Sequence, residues 1–345
     1  MSQRILITGG AGFIGVNTAE HFIKRGWKVL IFDNFSRVGA QDNVKWLGQH
    51  YKDKFGIVKG DVAKDFSKLQ KAVAGANAII HLAGQVAVTT SVTNPRNDFE
   101  NNALGTLNVL EAIRLSKNKP TLIFASTNKV YGGLEGAKVS ENKTRYYLPK
   151  FKSGVPETQP IDFHSPYGCS KGSADQYVRD YARIYGLDTV VLRQSCIYGP
   201  HQFGIEDQGW VAWFTIANVF NKKVKIYGTG KQVRDILYIG DLCRVYEMAI
   251  KNIKKVRGQI LNIGGGPGNT LSLLEFMPML EKMTATRLRV RFGEVRPGDQ
   301  PVYISDISKA KRLLGWQPKI NPKAGLKKLT KWVQENKKIL AKYLS

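Results

Sequence analysis

Residues 4–33 constrain the fold more than any other stretch of the chain. Arg4-Ile5-Leu6-Ile7-Thr8 reads as a short apolar strand, Gly9-Gly10-Ala11-Gly12-Phe13-Ile14-Gly15 follows directly, and an amphipathic run continues to Lys24. The glycines that matter are Gly9, Gly12 and Gly15. Glycine permits the tight turn, lets the backbone approach a pyrophosphate, and allows close packing of helix on strand. The helix N-terminus then presents free N–H groups and a positive dipole end to phosphates. A second apolar strand, Lys28 to Phe32, ends in Asp33, at about the 20-residue offset at which an acid accepts hydrogen bonds from a ribose. Such an acid repels a 2′-phosphate and so favours NAD over NADP, although Arg37 lies close enough to blur that preference. Strand, glycines, helix, strand and acid in this order specify a dinucleotide site, and NAD is the expected cofactor.

Strands and helices alternate from there to about residue 193. Strands are expected at 4–8, 28–32, 55–59, 78–82, 121–126 and 188–193, and helices at 13–25, 66–74, 97–116 and 166–185. Alternation of this kind implies right-handed crossovers and a parallel sheet covered on both faces. The fold class is therefore α/β: a Rossmann-type doubly wound parallel sheet with a smaller C-terminal α/β substrate lobe. The expected division is 1–193 for the dinucleotide domain, with a return segment near 232–250, and 194–345 for the lobe. The lobe shows a Trp-rich stretch at 208–214, a strand near 224–227, helices near 239–250, 271–283 and 308–314, and a lysine-rich amphipathic helix from about 324. Between 132 and 163 periodicity disappears. A loop of that length is a lid or a harmless insertion, and its place just before the 166–185 helix favours a lid.

Tyr167-Gly168-Cys169-Ser170-Lys171 supplies the chemistry. On a helix Tyr167 and Lys171 are one turn apart and point the same way. An ammonium beside a phenol favours the phenolate, so Tyr167 is expected to accept a proton near neutral pH. Ser126-Thr127 lies upstream at a strand end, where the Thr127 hydroxyl can orient a substrate alcohol toward that oxygen. This is apparatus for taking a proton from C–OH while a hydride leaves the carbon.

Charge and cysteine usage bound the partners. The formal net charge of +25 invites a nucleic-acid reading, but the lysines are scattered and no aromatic-basic RNA motif accompanies them. A lysine-rich surface, or mild attraction of an anionic substrate, accounts for the charge; no nucleic acid partner is expected. No apolar run approaches the roughly 20 residues needed to cross a bilayer, so no membrane partner is expected either. Three cysteines, Cys169, Cys196 and Cys243, cannot all pair. With a chain that enters a strand by Arg4 without a secretory leader, they suit a reduced cytoplasm, the expected location. The five histidines are isolated from one another, and no metal site is expected.

The chain resembles the extended short-chain dehydrogenases/reductases of the NAD-dependent nucleotide-sugar epimerase/dehydratase group. The resemblance rests on Thr8 to Gly15, Asp33-Asn34, Gly60-Asp61, His81-Leu82-Ala83, Asn102 with Gly105-Thr106, and Tyr167 with Lys171. It continues through Tyr198-Gly199-Pro200, Arg234-Asp235, Tyr238-Ile239-Gly240-Asp241, Asn262-Ile263-Gly264 and Arg296-Pro297-Gly298-Asp299. The resemblance implies a tightly held NAD that is not consumed, a Thr127/Tyr167/Lys171 centre, and a nucleotide-sugar substrate held by the C-terminal lobe. It also implies a homodimer or homotetramer, with helices 97–116 and 166–185 in a four-helix contact. The cofactor residues expected on this basis are Gly9, Gly12, Phe13, Ile14, Gly15, Asp33, Asn34, Ser36, Arg37, Asp61, Val62, Leu82, Ala83, Gly84, Gln85, Asn102, Ser126, Tyr167 and Lys171.

In the 4,6-dehydratases of this group the threonine is followed by an acidic residue and then a glutamate. Here Asn128 and Lys129 follow Thr127. An amide is no general acid at neutral pH, and an ammonium replaces a carboxylate base only after a large pKa change, so dehydration is disfavoured. Hydride removal and return to the opposite face of one carbon needs no further acid or base, which points to epimerisation. The 126–132, 144–146, 162–171, 207–211 and 230–235 segments are similar to those of CDP-hexose 2-epimerases. A CDP-hexose is thus the favoured substrate, with a UDP-sugar 4-epimerase or a net NAD-dependent sugar dehydrogenase as alternatives. The substrate residues expected are Gln85, Thr127, Asn128, Lys129, His164, Cys196, Gln208, Trp210, Tyr227, Arg234, Arg296 and Asp299. Arg234 and Arg296 suit a diphosphate, since guanidinium forks match its oxygens, or else pair with Asp235 and Asp299. Trp210 and Trp213 stack on a base or sugar, or pack a core. His164 touches the sugar or holds a loop or cap. Cys196 stands where many relatives carry Asn, and reads as packing rather than as a nucleophile.

Overall fold

The computed structural model describes residues 3–206, 208–295 and 300–344. Its centre is a seven-stranded parallel sheet in the order 260–263, 189–194, 121–127, 78–81, 4–8, 28–33, 55–59. Alternate residues of its buried strands feed two opposite cores, as the period of two requires. Ile5 and Ile7 face helices Phe13–Ile23, Ala40–His50 and Ile239–Lys251. Leu6 and Ile79 face helices Phe66–Ala74, Gly105–Leu115 and Ser165–Ile184. All seven strands run the same way, so their carboxyl ends share one edge.

Three expectations need correction. The seventh strand, Ile260–Ile263, was not expected as part of this sheet; four residues are too few to show a period. The helix Ala40–His50 was also missed, because only Ala40, Asn43 and Leu47 of it are fully buried, with Val44 and Trp46 half-buried beside them. The segment expected as one helix over 97–116 is instead Pro95–Phe99, a π-helical turn at Glu100–Leu104, and Gly105–Leu115. Turns of this kind recur at functional sites. The turn carries Asn102 inward, 1% exposed, and brings Gly105 so close to Val62 that an added Cβ would meet its Cγ2 at 2.7 Å.

In the second lobe Val233–Tyr238 pairs with Cys196–Tyr198, Thr270–Ser272 and Val302–Tyr303. A parallel pair, Lys223–Tyr227 and Arg289–Gly293, lies alongside. Helices Trp210–Val219, Leu273–Thr284 and Pro322–Glu335 pack a separate core. The stretch at 132–163 is fastened rather than loose. Its short hairpin, Ser140–Glu141 with Tyr146–Tyr147, is held by Arg145 on the Glu275 carboxylate and by Lys231 on Glu141 at 3.0 Å. Val155 donates to Ile304 at 2.7 Å, and Glu157 accepts from the Asn262 N–H at 2.7 Å. The segment is a strap joining the sheet to the second lobe.

Where strand 189–194 passes beneath helix 165–184, Arg193 forms two 2.9 Å bonds to Asp175, and Ser126 adds a third at 2.7 Å. Both members of the pair are buried, at 2% and 0% exposure. Removing one partner of a buried pair strands the other charge and costs about 3–5 kcal/mol. Arg193→Ala is therefore expected to lower unfolding free energy by that amount in chemical denaturation; a loss under about 1 kcal/mol would show that the pair is dispensable.

Candidate active site

A cleft of about 600 Å³ crosses the carboxyl edge of the sheet and gathers residues from both lobes. At its floor the glycine turn is shaped by steric limits. Gly9 has φ +69°, and a Cβ there would lie 2.7 Å from the Ala83 nitrogen; one on Gly15 would lie 2.4 Å from the Gly9 oxygen. A Cβ on Gly12 would meet only the Gly9 oxygen, at 3.4 Å. Gly9 and Gly15 thus close the turn, while Gly12 leaves its outer side open to approach. Asp33 ends its strand with one oxygen accepting from Ala11 N–H at 2.9 Å and the other from Phe35 N–H at 2.7 Å. Burial raises its carboxyl pKa against those two bonds. Asn34 donates to Asp61 at 2.9 Å, tying two strand ends together. The open face at Gly12 and the anchored acid beyond it fit the pyrophosphate and a ribose of a dinucleotide, so the residues present suit the NAD expected from the sequence.

The expected cofactor residues Phe13, Ile14, Ser36, Arg37, Val62, Leu82, Ala83, Gly84, Gln85 and Ser126 line the same cleft. Asn102 does not. It sits behind Gly84, donating to Asp98 at 3.2 Å and to Ser170 at 3.0 Å. Arg37 donates across the cleft to Gln208.

Thr127, Tyr167 and Lys171 converge on the cleft at 8%, 8% and 7% exposure. Thr127 ends its strand and caps the following turn by accepting from Lys129 N–H at 3.2 Å. Its hydroxyl donates to Asn128 Oδ1 at 3.4 Å and acts on the Tyr167 phenol to favour the phenolate. Lys171 donates to the Ala125 carbonyl at 2.7 Å and sits 4.3 Å from the Phe124 ring centroid. The helix spacing holds, but the expected effect on the phenol does not. Burial pushes the Tyr167 pKa up to about 12, opposed by Thr127 and reinforced by the Asp98 charge. Burial likewise pushes Lys171 down to about 8, opposed by Asp175 and Asp98. The ammonium is engaged by a carbonyl, and desolvation outweighs what its charge could do for the phenol.

Of the expected substrate residues, Gln85, Thr127, Cys196, Gln208 and Trp210 line the cleft, whereas Asn128, Lys129, His164, Tyr227 and Arg234 do not. His164 occupies the N-cap position of helix 165–184 without capping it, and lies 3.8 Å from Glu135. Tyr227 donates to Glu206 at 3.0 Å. Trp210 serves both readings, lining the cleft and packing edge-on against Phe276 at 5.0 Å; Trp213 is not on the lining. Burial pushes the Cys196 thiol up, against the positive charges of Arg234 and Lys129, so it is no activated nucleophile and those two cations bear on this end of the cleft. Arg296 and Asp299 lie outside the described residues. The cleft also contains Gln194, Ser195 and Gln202, which carried no motif signal.

Comparison with known proteins agrees with this geometry. Residues 6–329 match the family model described as GDP-mannose 4,6 dehydratase. The CDP-paratose 2-epimerase of Salmonella typhi is 46% identical over 337 residues, covering 96% of this chain and 99% of that protein. The UDP-glucuronate 4-epimerase of Thermodesulfobacterium geofontis is 32% identical, with 96% of each chain covered. Among solved structures, the UDP-glucuronic acid 4-epimerase from Bacillus cereus, in complex with UDP-glucuronic acid and NAD, superimposes with a TM-score of 0.83 at 28% identity, covering 96% of this chain and 99% of that one. The chain belongs to the extended short-chain dehydrogenase/reductase family of NAD-dependent nucleotide-sugar epimerases and dehydratases.

Proposed function

We propose that this protein is an NAD-dependent nucleotide-sugar epimerase that inverts C2 of a CDP-linked hexose. The observation that carries the reading is the convergence of Thr127, Tyr167 and Lys171 on a cleft with a dinucleotide cradle, where Asn128 and Lys129 stand in the place of a dehydratase's acid and base. The extent of the likeness to the Salmonella typhi enzyme supports the CDP-sugar and the C2 position.

When bound, oxidised NAD supplies a reversible hydride acceptor and a positive ring that opposes the upward shift of a neighbouring phenol. Thr127 orients the substrate hydroxyl, and Tyr167 Oη takes its proton and later returns it. Lys171 holds the nicotinamide ribose and keeps positive charge within the site. Between the two proton transfers the keto sugar turns over against the Cys196 and Trp210 wall. Arg234 and Lys129 favour the diphosphate, and Arg296 with Asp299 completes the substrate set. The exposed Phe99, Leu115, Tyr177 and Ile184 on helices 95–115 and 165–184 support a homodimer. Three free cysteines support a cytoplasmic location, and among the described residues no helix is long and apolar enough to cross a membrane.

Tyr167→Phe is expected to lower turnover by about 10²–10⁴-fold while the purified protein keeps its NAD; full activity would remove Tyr167 from its role. Lys171 is charged below its pKa of about 8 and neutral above it. With NAD bound and the Tyr167 phenol brought below that value, turnover should fall as pH rises through it, and a rate level to about pH 10, where an ordinary lysine titrates, would contradict the role. A panel of CDP-, UDP- and GDP-hexoses read by NMR should show inversion at C2 of the CDP-sugar; inversion at C4 of the UDP-sugar alone would favour the 4-epimerase reading.

A further inference from the structure

We infer that Asp98 is a positioning residue for this reaction, its buried carboxylate placing both ends of the working pH range of the Tyr167–Lys171 pair without touching substrate. The inference rests on the roles proposed above for Tyr167 and Lys171.

Asp98 is completely buried, in the short helix Pro95–Phe99 that packs against helix 165–184. Three side-chain donors converge on it. Ser170, lying between Tyr167 and Lys171 in sequence, donates its hydroxyl to one oxygen. Asn102 of the π-helical turn and Gln85 of the cleft wall donate to the other, at 3.2 and 3.0 Å. Such an array suits a carboxylate, which accepts all three; burial raises the Asp98 pKa, against the Ser170 and Asn102 bonds and the Lys171 charge. An isolated buried anion is costly, and among the described residues Asp98 makes no contact ion pair. The compensating charge is Lys171, acting through space.

The other groups facing the pair are accounted for. Asp175, one turn beyond Lys171, is already engaged by Arg193. His81 on the neighbouring strand is held neutral, its pKa pushed down to about 3 by burial and by the Lys171 charge. On the flanking elements Arg96 and Glu100 pair with each other at 3.3 Å at the exposed end of the turn. Among the described residues Asp98 is thus the one anion beside both Tyr167 and Lys171 that is not neutralised by a cation in contact.

A negative charge there raises the pKa of both groups, so removing it lowers both. The acid limb of the rate profile, set by protonation of Tyr167, and the alkaline limb, set by deprotonation of Lys171, must then move the same way. Asp98→Asn is expected to slide the whole kcat/KM profile on the CDP-hexose to lower pH by about one unit. Ser170→Ala and Asp98→Glu keep the charge and should lower the rate with both limbs in place. Damage to packing alone would lower the Asp98→Asn profile without moving it. An unmoved profile for Asp98→Asn, or a slid one for Asp98→Glu, overturns the inference; the second variant decides if the first does not fold. An unmoved profile beside an inactive Tyr167→Phe leaves the epimerase reading standing, whereas a fully active Tyr167→Phe brings both down.

Discussion

The centre of this molecule is an ammonium group that has been taken out of water. Lys171 is one turn from Tyr167 on the inward face of helix 165–184, bonded to the Ala125 carbonyl and lying over the Phe124 ring. A buried cation is tolerated only where carbonyls and anions surround it. Much of the nearby structure serves that end. Strand 121–127 supplies the carbonyl and the ring, Asp175 is fixed by Arg193, and Asp98 is fixed by Ser170, Asn102 and Gln85.

A parallel sheet places the carboxyl ends of its strands on one edge, and the cleft lies there because nothing else could collect so many loop residues. The glycine turn, Asp33, Asp61, Leu82 and Ser126 come from five adjacent strand ends. The strap of residues 132–163 then ties the sheet to the lobe bearing Cys196 and Trp210, through Arg145 on Glu275 and Glu157 on Asn262. Val130 and Tyr131, just before the strap, and Val155 within it also pack with Val233, Val302 and Tyr303 of that lobe, so apolar packing joins the directed polar contacts in holding the two walls together.

What could be read from the sequence was local. The turn at Gly9 to Gly15, the acid at Asp33 and the helical pair Tyr167/Lys171 each depend on residues close along the chain, and the structure places all of them in one cleft. What could not be read depended on distant partners. Helix Ala40–His50 has too few apolar residues to announce itself, and reaches the glycine turn through Asn43, which donates to the Ala11 carbonyl at 3.2 Å. The strand Ile260–Ile263 is too short to show a period. Asp98 looks like a surface residue in sequence; only the packing of helix 165–184 makes it a buried anion. Spacing put Lys171 on the same face as the phenol, but the direction of the phenol's pKa depends on burial, which spacing does not report.

The central claim is that hydrogen leaves and returns to the same sugar carbon without passing through water. A CDP-hexose carrying deuterium at C2 tests it directly, with turnover in ordinary water and the product read by NMR. The account predicts that the inverted sugar keeps its deuterium at C2. Loss of the label to solvent at the rate of inversion would contradict it, and would point instead to inversion by proton exchange at that carbon.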